Sequence, residues 1–221
     1  MSGLRVLIFA NGILPDLKAA GSLLQPGDFI ICADGGSRHA RSLGLTPNVL
    51  IGDLDSMESS EPFWPADRGI QTLRHPREKD ETDLQLALNY ALQRGSASIV
   101  IVGALGGRID HTLGNISLLS DARLAGRDCC LDDGTERVLL CTDSAGLSGN
   151  PGDIVSLLPW GGPVGGIRTQ GLKWSLNGET LTPEHSRGIS NVMVDRLARI
   201  QVGTGSLLLV HRRVTPAVAR R

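Results

Sequence analysis

The sequence predicts an α/β protein in which a doubly wound parallel sheet is followed by a small antiparallel β-structure. Up to about residue 130, short and almost wholly apolar runs alternate with helical patterns, as in parallel strands covered on both faces. Beyond about residue 135, strand-like segments are separated by Gly-rich turns without long helical periodicity, which favours a sandwich or barrel. A length of 221 residues and a hydrophobic content of 41% are sufficient for two domains with cores.

The first half contains the clearer strand and helix signals. The predicted strands are 6–10, 29–33, 49–51 and 99–102, and each ends at Gly, Asn or Asp. A helix is predicted over 37–43, where Gly44 provides a left-handed stop. Thr82 and Gln85 have the spacing of a capping box at the start of the next helix, and a further helix is predicted from Asp110 to about residue 119. This alternation implies right-handed crossovers between parallel strands.

The second half is predicted to consist of short strands joined by turns. The strands are expected at 137–141, 153–158, 191–194, 199–202 and 206–211. The turns are expected at 149–152, 161–163, 177–178 and 203–205. The change of pattern near 129–136 indicates a boundary between a domain of residues 1–131 and a domain of residues 136–221.

Composition argues against several classes of partner. The chain has 22 basic and 23 acidic side chains and a net charge of −1, so we expect no nucleic-acid partner and no attraction to an anionic membrane. No apolar run approaches the roughly 20 residues that a membrane-spanning helix needs. The N-terminus does not look like a signal peptide, and the four cysteines have no C-x-x-C spacing. We therefore expect a cytoplasmic protein with free thiols.

Three aspartate clusters in the first half are the strongest functional signal. Asp53 and Asp55 lie in 52–56, Asp80 and Asp83 lie in 79–83, and Asp110 follows a Gly-Gly-Arg string. Brought together, five carboxylates would repel one another unless a cation neutralised them. Mg²⁺ prefers oxygen ligands and commonly completes its shell with water and substrate phosphates. Each cluster alone is also compatible with ordinary turn and cap chemistry.

The predicted topology places these clusters on one edge of the sheet. Asn11, Asp34, Asp53 and the 103–110 loop each follow a predicted strand, and ligands of open α/β sheets bind beyond the carboxyl ends of the strands. The helix that begins at Thr82 adds a positive terminus that favours carboxylates and phosphates nearby. A metal and phosphate site at this edge is the prediction.

The loop at 103–110 has the composition of an anion site. Gly106 and Gly107 allow close backbone approach, and the planar guanidinium of Arg108 suits phosphate oxygens. Neither the dinucleotide fingerprint nor the P-loop spacing occurs in the sequence. Asp110 could cap the following helix, bind metal, or do both, and His111 fits a hydrogen-bonding or packing role better than that of a base.

The second half offers a different kind of site. Trp174 provides a face for a flat heteroaromatic ligand, and Ser190 and Asn191 suit its ring nitrogens. A core position for Trp174 is an equally good interpretation of the sequence.

Strings along nearly the whole chain resemble the thiamine pyrophosphokinase (thiamine diphosphokinase) family. They are 9–12 (Phe-Ala-Asn-Gly), 33–36 (Ala-Asp-Gly-Gly), 51–56 (Ile-Gly-Asp-Leu-Asp-Ser), 79–83 (Lys-Asp-Glu-Thr-Asp), 106–111 (Gly-Gly-Arg-Ile-Asp-His) with Asn115, 156–159 (Ser-Leu-Leu-Pro), 171–174 (Gly-Leu-Lys-Trp) and 189–191 (Ile-Ser-Asn). The resemblance implies a Rossmann-like catalytic domain followed by a β-sandwich that contributes to thiamine binding and dimerisation. It also implies a homodimer with sites near the subunit interface, and Mg²⁺-dependent transfer of diphosphate from ATP to thiamine.

The resemblance and the residue patterns together lead to a predicted set of site residues. Metal binding is expected at Asp53, Asp55, Asp80 and Asp83, and catalysis at these four with Arg108 and Asp110. ATP and cofactor binding is expected at Asn11, Asp34, Gly35, Lys79, Thr82, Gly106, Gly107, His111 and Asn115, and thiamine binding at Ser190, Asn191 and Trp174. The alternatives are a pterin diphosphokinase with a related Asp-rich site and a non-catalytic nucleotide-binding regulator.

Overall fold

The computed structural model describes residues 3–53 and 69–214, which form a mixed α/β structure. The chain divides into two compact units, Met1–Gly134 and Thr135–Arg221. Of the helices in the described residues, none has both the length and the apolar character required to cross a membrane.

The first unit contains a parallel sheet. Its strands are β1 (Arg5–Phe9), β2 (Phe29–Ala33), β3 (Val49–Gly52), β4 (Gln71–Arg74), β5 (Ser98–Val102) and β6 (Asp128–Asp132). They lie in the order β4-β3-β2-β1-β5-β6, and every neighbouring pair is parallel. Residues 6–9 of β1 are 0% exposed, as expected for a central strand covered on both faces.

Helices connect these strands. They are α1 (Leu17–Gly21), α2 (Ser37–Ser42), α3 (Asp83–Gln93) and α4 (Ile109–Ser117), with 3₁₀ turns at Asp34–Gly36, Leu118–Ser120 and Ala122–Leu124. The buried side chains of α3 are Leu84, Ala87, Leu88 and Ala91, whose helical spacing indicated an amphipathic helix. The end of α2 matches its prediction, since Gly44 has a φ of 70°.

The strand order reverses between β1 and β5, and the loops that follow these two strands are tied together. Ala10 N donates to Val102 O at 2.8 Å, Gly12 N to Gly103 O at 2.6 Å and Ile13 N to Leu105 O at 3.0 Å. A Cβ at Gly12 would lie 2.4 Å from Gly103 O, so the close approach requires glycine. Such a reversal opens a crevice at the carboxyl ends of the strands.

The second unit is antiparallel. Its strands are β7 (Glu136–Cys141), β8 (Ser144–Ser148), β9 (Ile154–Gln170), β10 (Asn177–Leu181), β11 (Asn191–Val192), β12 (Leu197–Gln201) and β13 (Thr204–Arg212). They follow the order β7-β13-β9-β12-β8, and β10 and β11 also pair with β9. Fully buried side chains such as Leu147, Leu157 and Ile167 form its core.

Several predicted turns are wrong, because they lie within strands. Strand β9 continues through 161–163, where Gly161 has a φ of 78° and the chain bends without leaving the sheet. The predicted turns at 177–178 and 203–205 overlap the first residues of β10 and β13. Four strands, β4, β6, β8 and β10, were not predicted. The two residues before β4, and β4 itself, are largely exposed, so no apolar run marks that strand.

Candidate active site

A cleft of about 530 Å³ in the first unit is lined by loops that follow β1, β2, β3 and β5 and by the first turns of α3 and α4. It therefore lies at the reversal of strand order, where ligands of open α/β sheets bind. The predicted residues that line it are Asn11, Asp34, Asp53, Lys79, Thr82, Asp83, Gly106, Gly107, Arg108, His111 and Asn115.

Other predicted residues are placed differently. Gly35, Asp80 and Asp110 do not line the cleft, and Asp55 lies outside the described residues. Gly35 instead lies beneath Asn11, since a Cβ there would be 2.5 Å from the Asn11 side chain. The thiamine residues Ser190, Asn191 and Trp174 belong to the second unit.

The cleft also has lining residues that were not predicted as site residues, among them Gly12, Ile13, Arg77 and Glu81. Glu81 lies inside the 79–83 string and accepts a hydrogen bond from Asn89 Nδ2 at 2.9 Å. The position of Glu81 inside this string was the sequence signal that could have identified it as a site residue. Arg77 lies two residues before the string, and no pattern in the sequence marked it.

Helix α2 holds the loop that follows β1. Arg38 donates to Asn11 Oδ1, and His39 Nε2 lies 2.9 Å from Gly12 O. Because a carbonyl oxygen only accepts, the Nε2 of His39 carries the proton. Asp34, which starts the turn into α2, has a φ of 44°, a left-handed conformation that non-glycine residues seldom adopt. Asn11 and Gly12 are thus fixed from a neighbouring helix.

The N-terminus of α3 supplies a cap and a half-buried carboxylate. Thr82 Oγ1 accepts from Gln85 N at 3.2 Å, which confirms the Thr82 half of the predicted capping box. Asp83 is the first residue of α3, at the positive end of the helix dipole. Lys79 Nζ lies 3.0 Å from Asp83 Oδ1, but its hydrogen bond goes to Pro76 O. The Oδ1 of Asp83 is buried, and its charge is paired with this ammonium.

The donor set at this edge fits a hard cation. Asp53 and Asp83 both line the cleft, and carboxylate oxygens are the ligands that Mg²⁺ prefers. Within 3–53 and 69–214, no three His, Cys, Asp or Glu side chains converge as a metal cluster. Mg²⁺ commonly takes only one or two protein carboxylates and retains water and phosphate ligands.

The Gly-rich loop presents backbone and an arginine at the rim. Gly106 and Gly107 have φ values of 77° and 75°, and no atom lies within 4 Å of a Cβ built at Gly107. Arg108 is the N-cap residue of α4, so of the roles left open for Asp110 the helix cap is not the one it takes. Arg108 forks onto Asp110, with Nε 3.1 Å from Oδ1 and Nη2 2.5 Å from Oδ2. This hydrogen bonding lowers the pKa of the Asp110 carboxyl.

The two helix residues beyond Arg108 differ in their surroundings. Asn115 Nδ2 donates to Ala104 O at 2.7 Å, so Asn115 ties α4 to the loop that follows β5. The side chain of His111 is exposed on the cleft wall, and its backbone N donates to Asp110 Oδ1 at 2.9 Å.

A second cavity, of about 400 Å³, lies within the second unit. Trp174, Arg187, Ile189 and Asn191 are among its lining residues. Trp174 is 57% exposed, so the interpretation that it is a core residue is wrong. Ser190 has a φ of 60° and does not line the cavity; its backbone N donates to Ser156 Oγ at 3.0 Å.

Two family models match the chain in succession. The model for the thiamin pyrophosphokinase catalytic domain matches residues 20–131, and the model for the thiamin pyrophosphokinase vitamin B1 binding domain matches residues 145–208. Thiamine pyrophosphokinase 1 of Oryza sativa subsp. japonica is 26% identical over 197 residues, or 77% of this chain and 74% of that protein. Thiamine pyrophosphokinase of Bacillus subtilis (strain 168) is 27% identical over 190 residues, or 81% of this chain and 85% of that protein.

Solved structures share the fold. The crystal structure of thiamine pyrophosphokinase from Bacillus subtilis matches with a TM-score of 0.85 and 24% identity, over 96% of this chain and 100% of that chain. Yeast thiamin pyrophosphokinase matches with a TM-score of 0.74 and 19% identity, over 96% of this chain and 87% of that chain.

Proposed function

Because this chain belongs to the thiamin pyrophosphokinase family, we propose that its Asp- and Gly-lined cleft transfers diphosphate from ATP to the thiamine hydroxyl. The products are thiamine diphosphate and AMP, and the activity is that of a thiamine diphosphokinase. The observation that carries this function is the match of both family models, in order, along one chain. Neither the pterin diphosphokinase nor the non-catalytic regulator is favoured by these matches.

The domain assignment follows the same reasoning. We propose a Rossmann-like catalytic domain of residues 1–131 and a β-sandwich domain of residues 136–221. The parallel order of β4-β3-β2-β1-β5-β6 supports the first assignment, and the antiparallel pairing of β7 to β13 supports the second.

In the proposed mechanism the chain itself binds and orients the triphosphate. Backbone N–H groups near Gly106 and Gly107 approach the phosphate oxygens, and the N-terminus of α3 adds a positive dipole. Arg108 leaves Asp110 to place its guanidinium fork on the transferring diphosphate. These groups hold the β-phosphorus in line with the thiamine hydroxyl, whose proton passes to an aspartate carboxylate.

A magnesium ion completes this proposal. When bound, Mg²⁺ neutralises phosphate charge as it develops. Asp53 and Asp83 would hold it from the cleft wall, with Asp55 and Asp80 as further ligands and Asp110 assisting. The place of the Asp53 and Asp83 carboxylates on the cleft wall supports this assignment.

We also propose a cytoplasmic homodimer in which thiamine binds between the aspartates of one subunit and the Trp174 region of the partner. Two observations support this. Trp174 presents an exposed face in the unit matched by the vitamin B1 binding model, and Ile109 and Leu113 on α4 are 72% and 50% exposed. None of residues 109–117 of this helix, which the structure describes in full, is buried. Exposed apolar side chains on such a helix are typical of an interface.

Turnover tests the activity directly. Purified protein with ATP, Mg²⁺ and thiamine should release AMP and thiamine diphosphate in equal amounts, measured by a coupled AMP assay and by chromatography. A hydroxymethylpterin should not replace thiamine as acceptor. AMP release that does not depend on thiamine, or ATP binding without any turnover, would refute the diphosphokinase assignment.

Subunit mixing tests the shared site. An Asp83→Asn variant is expected to be nearly inactive and a Trp174→Ala variant to have a low rate at thiamine concentrations near the KM of the parent, but at those concentrations hybrids should regain activity because one of their two sites is intact. No recovery in verified heterodimers would mean that each site is built within one subunit.

A further inference from the structure

The side chain of Asn191 is bound to the backbone of another segment. Asn191 is 5% exposed, and its Oδ1 accepts from Trp174 N at 3.1 Å while its Nδ2 donates to Trp174 O at 2.7 Å. The same Oδ1 also accepts from Val192 N at 2.9 Å. The amide of Asn191 therefore pairs with both backbone polar groups of Trp174, seventeen positions away along the chain.

These contacts extend a short ladder between two segments. Leu172 and Met193 form an antiparallel bridge, Lys173 N donates to Val192 O at 2.9 Å, and Val194 N donates to Gly171 O at 3.0 Å. At Asn191 the backbone turns away to pair with Val155 of β9. The side-chain amide, which has the same donor and acceptor as a peptide group, continues the pairing by one residue.

The result is a large aromatic side chain exposed on a fixed backbone. Trp174 is 57% exposed and lines the 400 Å³ cavity, and Lys173 Nζ lies 4.8 Å from the centroid of its ring. A ring whose backbone is already ordered loses less conformational entropy when a ligand stacks on it. Holding the backbone of Trp174 therefore favours stacking of a flat or cationic ring.

We propose that Asn191 is a positioning residue, which places Trp174 for the acceptor and does not itself bind the acceptor ring. The inference rests on the proposed function, in which the Trp174 region receives thiamine. It differs from the role predicted from the sequence, in which Asn191 binds ring nitrogens. Both lone pairs of Oδ1 are already used, and a contact through Nδ2 in place of Trp174 O would leave that carbonyl unpaired.

A double-mutant cycle separates the two roles. Asn191→Ala, Trp174→Ala and the double variant are compared by the KM for thiamine and the KM for ATP. We expect each single variant to raise the KM for thiamine by about tenfold, the scale of one lost stacking interaction, and to leave the KM for ATP nearly unchanged. The double variant should be no worse than Trp174→Ala alone, because Asn191 acts through Trp174. Independent, multiplied losses would overturn the proposal.

A spectroscopic readout reports the position of the ring without turnover. In a background of Trp64→Phe and Trp160→Phe, Trp174 is the remaining tryptophan. Asn191→Ala should lower the fluorescence anisotropy of Trp174, and Asn191→Asp should do the same because it lacks the donor to Trp174 O. The aspartate variant carries the test if the alanine variant does not fold. Anisotropy equal to that of the parent in a folded variant would contradict the proposal.

A matched control excludes a general effect of losing an asparagine. Asn177 lies on β10, is exposed, and accepts a hydrogen bond from Arg168, so Asn177→Ala should leave the KM for thiamine and the anisotropy unchanged. A parent protein without thiamine-dependent AMP release would refute the proposed function, while the anisotropy still reports whether Asn191 holds Trp174. Normal parent turnover with independent losses in the cycle would refute only the role of Asn191.

Discussion

At the scale of single residues, Asp83 links the start of a helix to the cleft. It begins α3, lines the cleft and has one buried oxygen, which lies 3.0 Å from the ammonium of Lys79. A bound cation would compete with that ammonium for the carboxylate, so the negative charge of Asp83 is the property that a substitution should remove.

Asp83→Asn is expected to reduce turnover by about 100-fold or more, because the negative charge that would hold the cation is lost while the shape is kept. The Tm should change little, since the side chain stays at the helix start. Steady-state AMP release and thermal unfolding measure the two effects. Asp143→Asn, an exposed carboxylate of the second unit, is the control. Activity near that of the parent would remove Asp83 from the metal site.

Arg108→Lys keeps the charge at the rim but loses the fork that pairs with two oxygens, so kcat should fall by about tenfold or more. The guanidinium is 73% exposed and its partner in the structure is Asp110, so no loss of stability is expected. Arg123→Lys is the matched control for kcat, because the exposed guanidinium of Arg123 also contacts an aspartate two residues away but lines neither cavity. A silent Arg108→Lys substitution would make the Arg108–Asp110 contact a surface ion pair only.

At the scale of elements, α3 couples its own stability to the site, because the residue that caps it is followed directly by Asp83. Thr82→Ala removes the acceptor for Gln85 N and should lower the free energy of unfolding by about 1 kcal/mol. It should also lower kcat, since the first turn that orients Asp83 frays. Thr82→Ser keeps the hydroxyl and should restore both values in urea titrations and activity assays. Equal loss in the serine and alanine variants would contradict a capping role.

Strands with an apolar run could be predicted from the sequence, and strands without one could not. The predicted 29–33 run coincides with β2, and the 49–51 run differs from β3 by one residue, because burial on both faces demands an unbroken apolar segment. The full length of strand β9 could not be predicted, because Gly and Pro are typical of turns but here lie within the strand. The candidate site was predictable where Asp and Gly follow strands, whereas the hydrogen bonds of Asn191 depend on a partner seventeen residues away.

At the scale of the whole molecule, the apolar face of α4 bears on the proposed homodimer. Leu113→Glu places a charge on this face and should shift the protein from dimer to monomer in sedimentation analysis at micromolar concentration. Val194→Glu, an equally exposed apolar position of the second unit, is the control. A dimer that persists in the Leu113 variant would exclude this face from the interface.

The second unit contains a buried acid–base contact that governs its response to acid. His211 Nε2 lies 2.9 Å from Asp153 Oδ2, and Val214 N donates to Asp153 Oδ1 at 2.9 Å. Burial alone would raise the pKa of Asp153, but the hydrogen bonds from Asn150 N and Val214 N and the contact with His211 outweigh it and lower the pKa below 3.8.

Because the folded pKa of Asp153 is depressed, its contribution to stability is fully present above its ordinary pKa and is lost as pH falls through the folded value. Asp153→Asn should therefore lower the free energy of unfolding at pH 7 by about 3 kcal/mol and flatten the decline of stability below about pH 4. Urea titrations from pH 2 to pH 7 measure both. An unchanged acid slope in the variant would show that other carboxylates govern it.

The neighbouring position of β1 and β5 has a consequence for how the protein is made. Arg5 pairs with Ser98, so β1 meets this partner only after a loop of about ninety residues closes. During synthesis, one edge of β1 stays unpaired until β5 has left the ribosome. The hydrogen bonds from Ala10, Gly12 and Ile13 to residues 102–105 also cannot form before then. Long-range parallel pairing of this kind is slow. The cleft is therefore among the last features of the first unit to assemble, and recovery of ATP binding during refolding should lag behind the formation of helices.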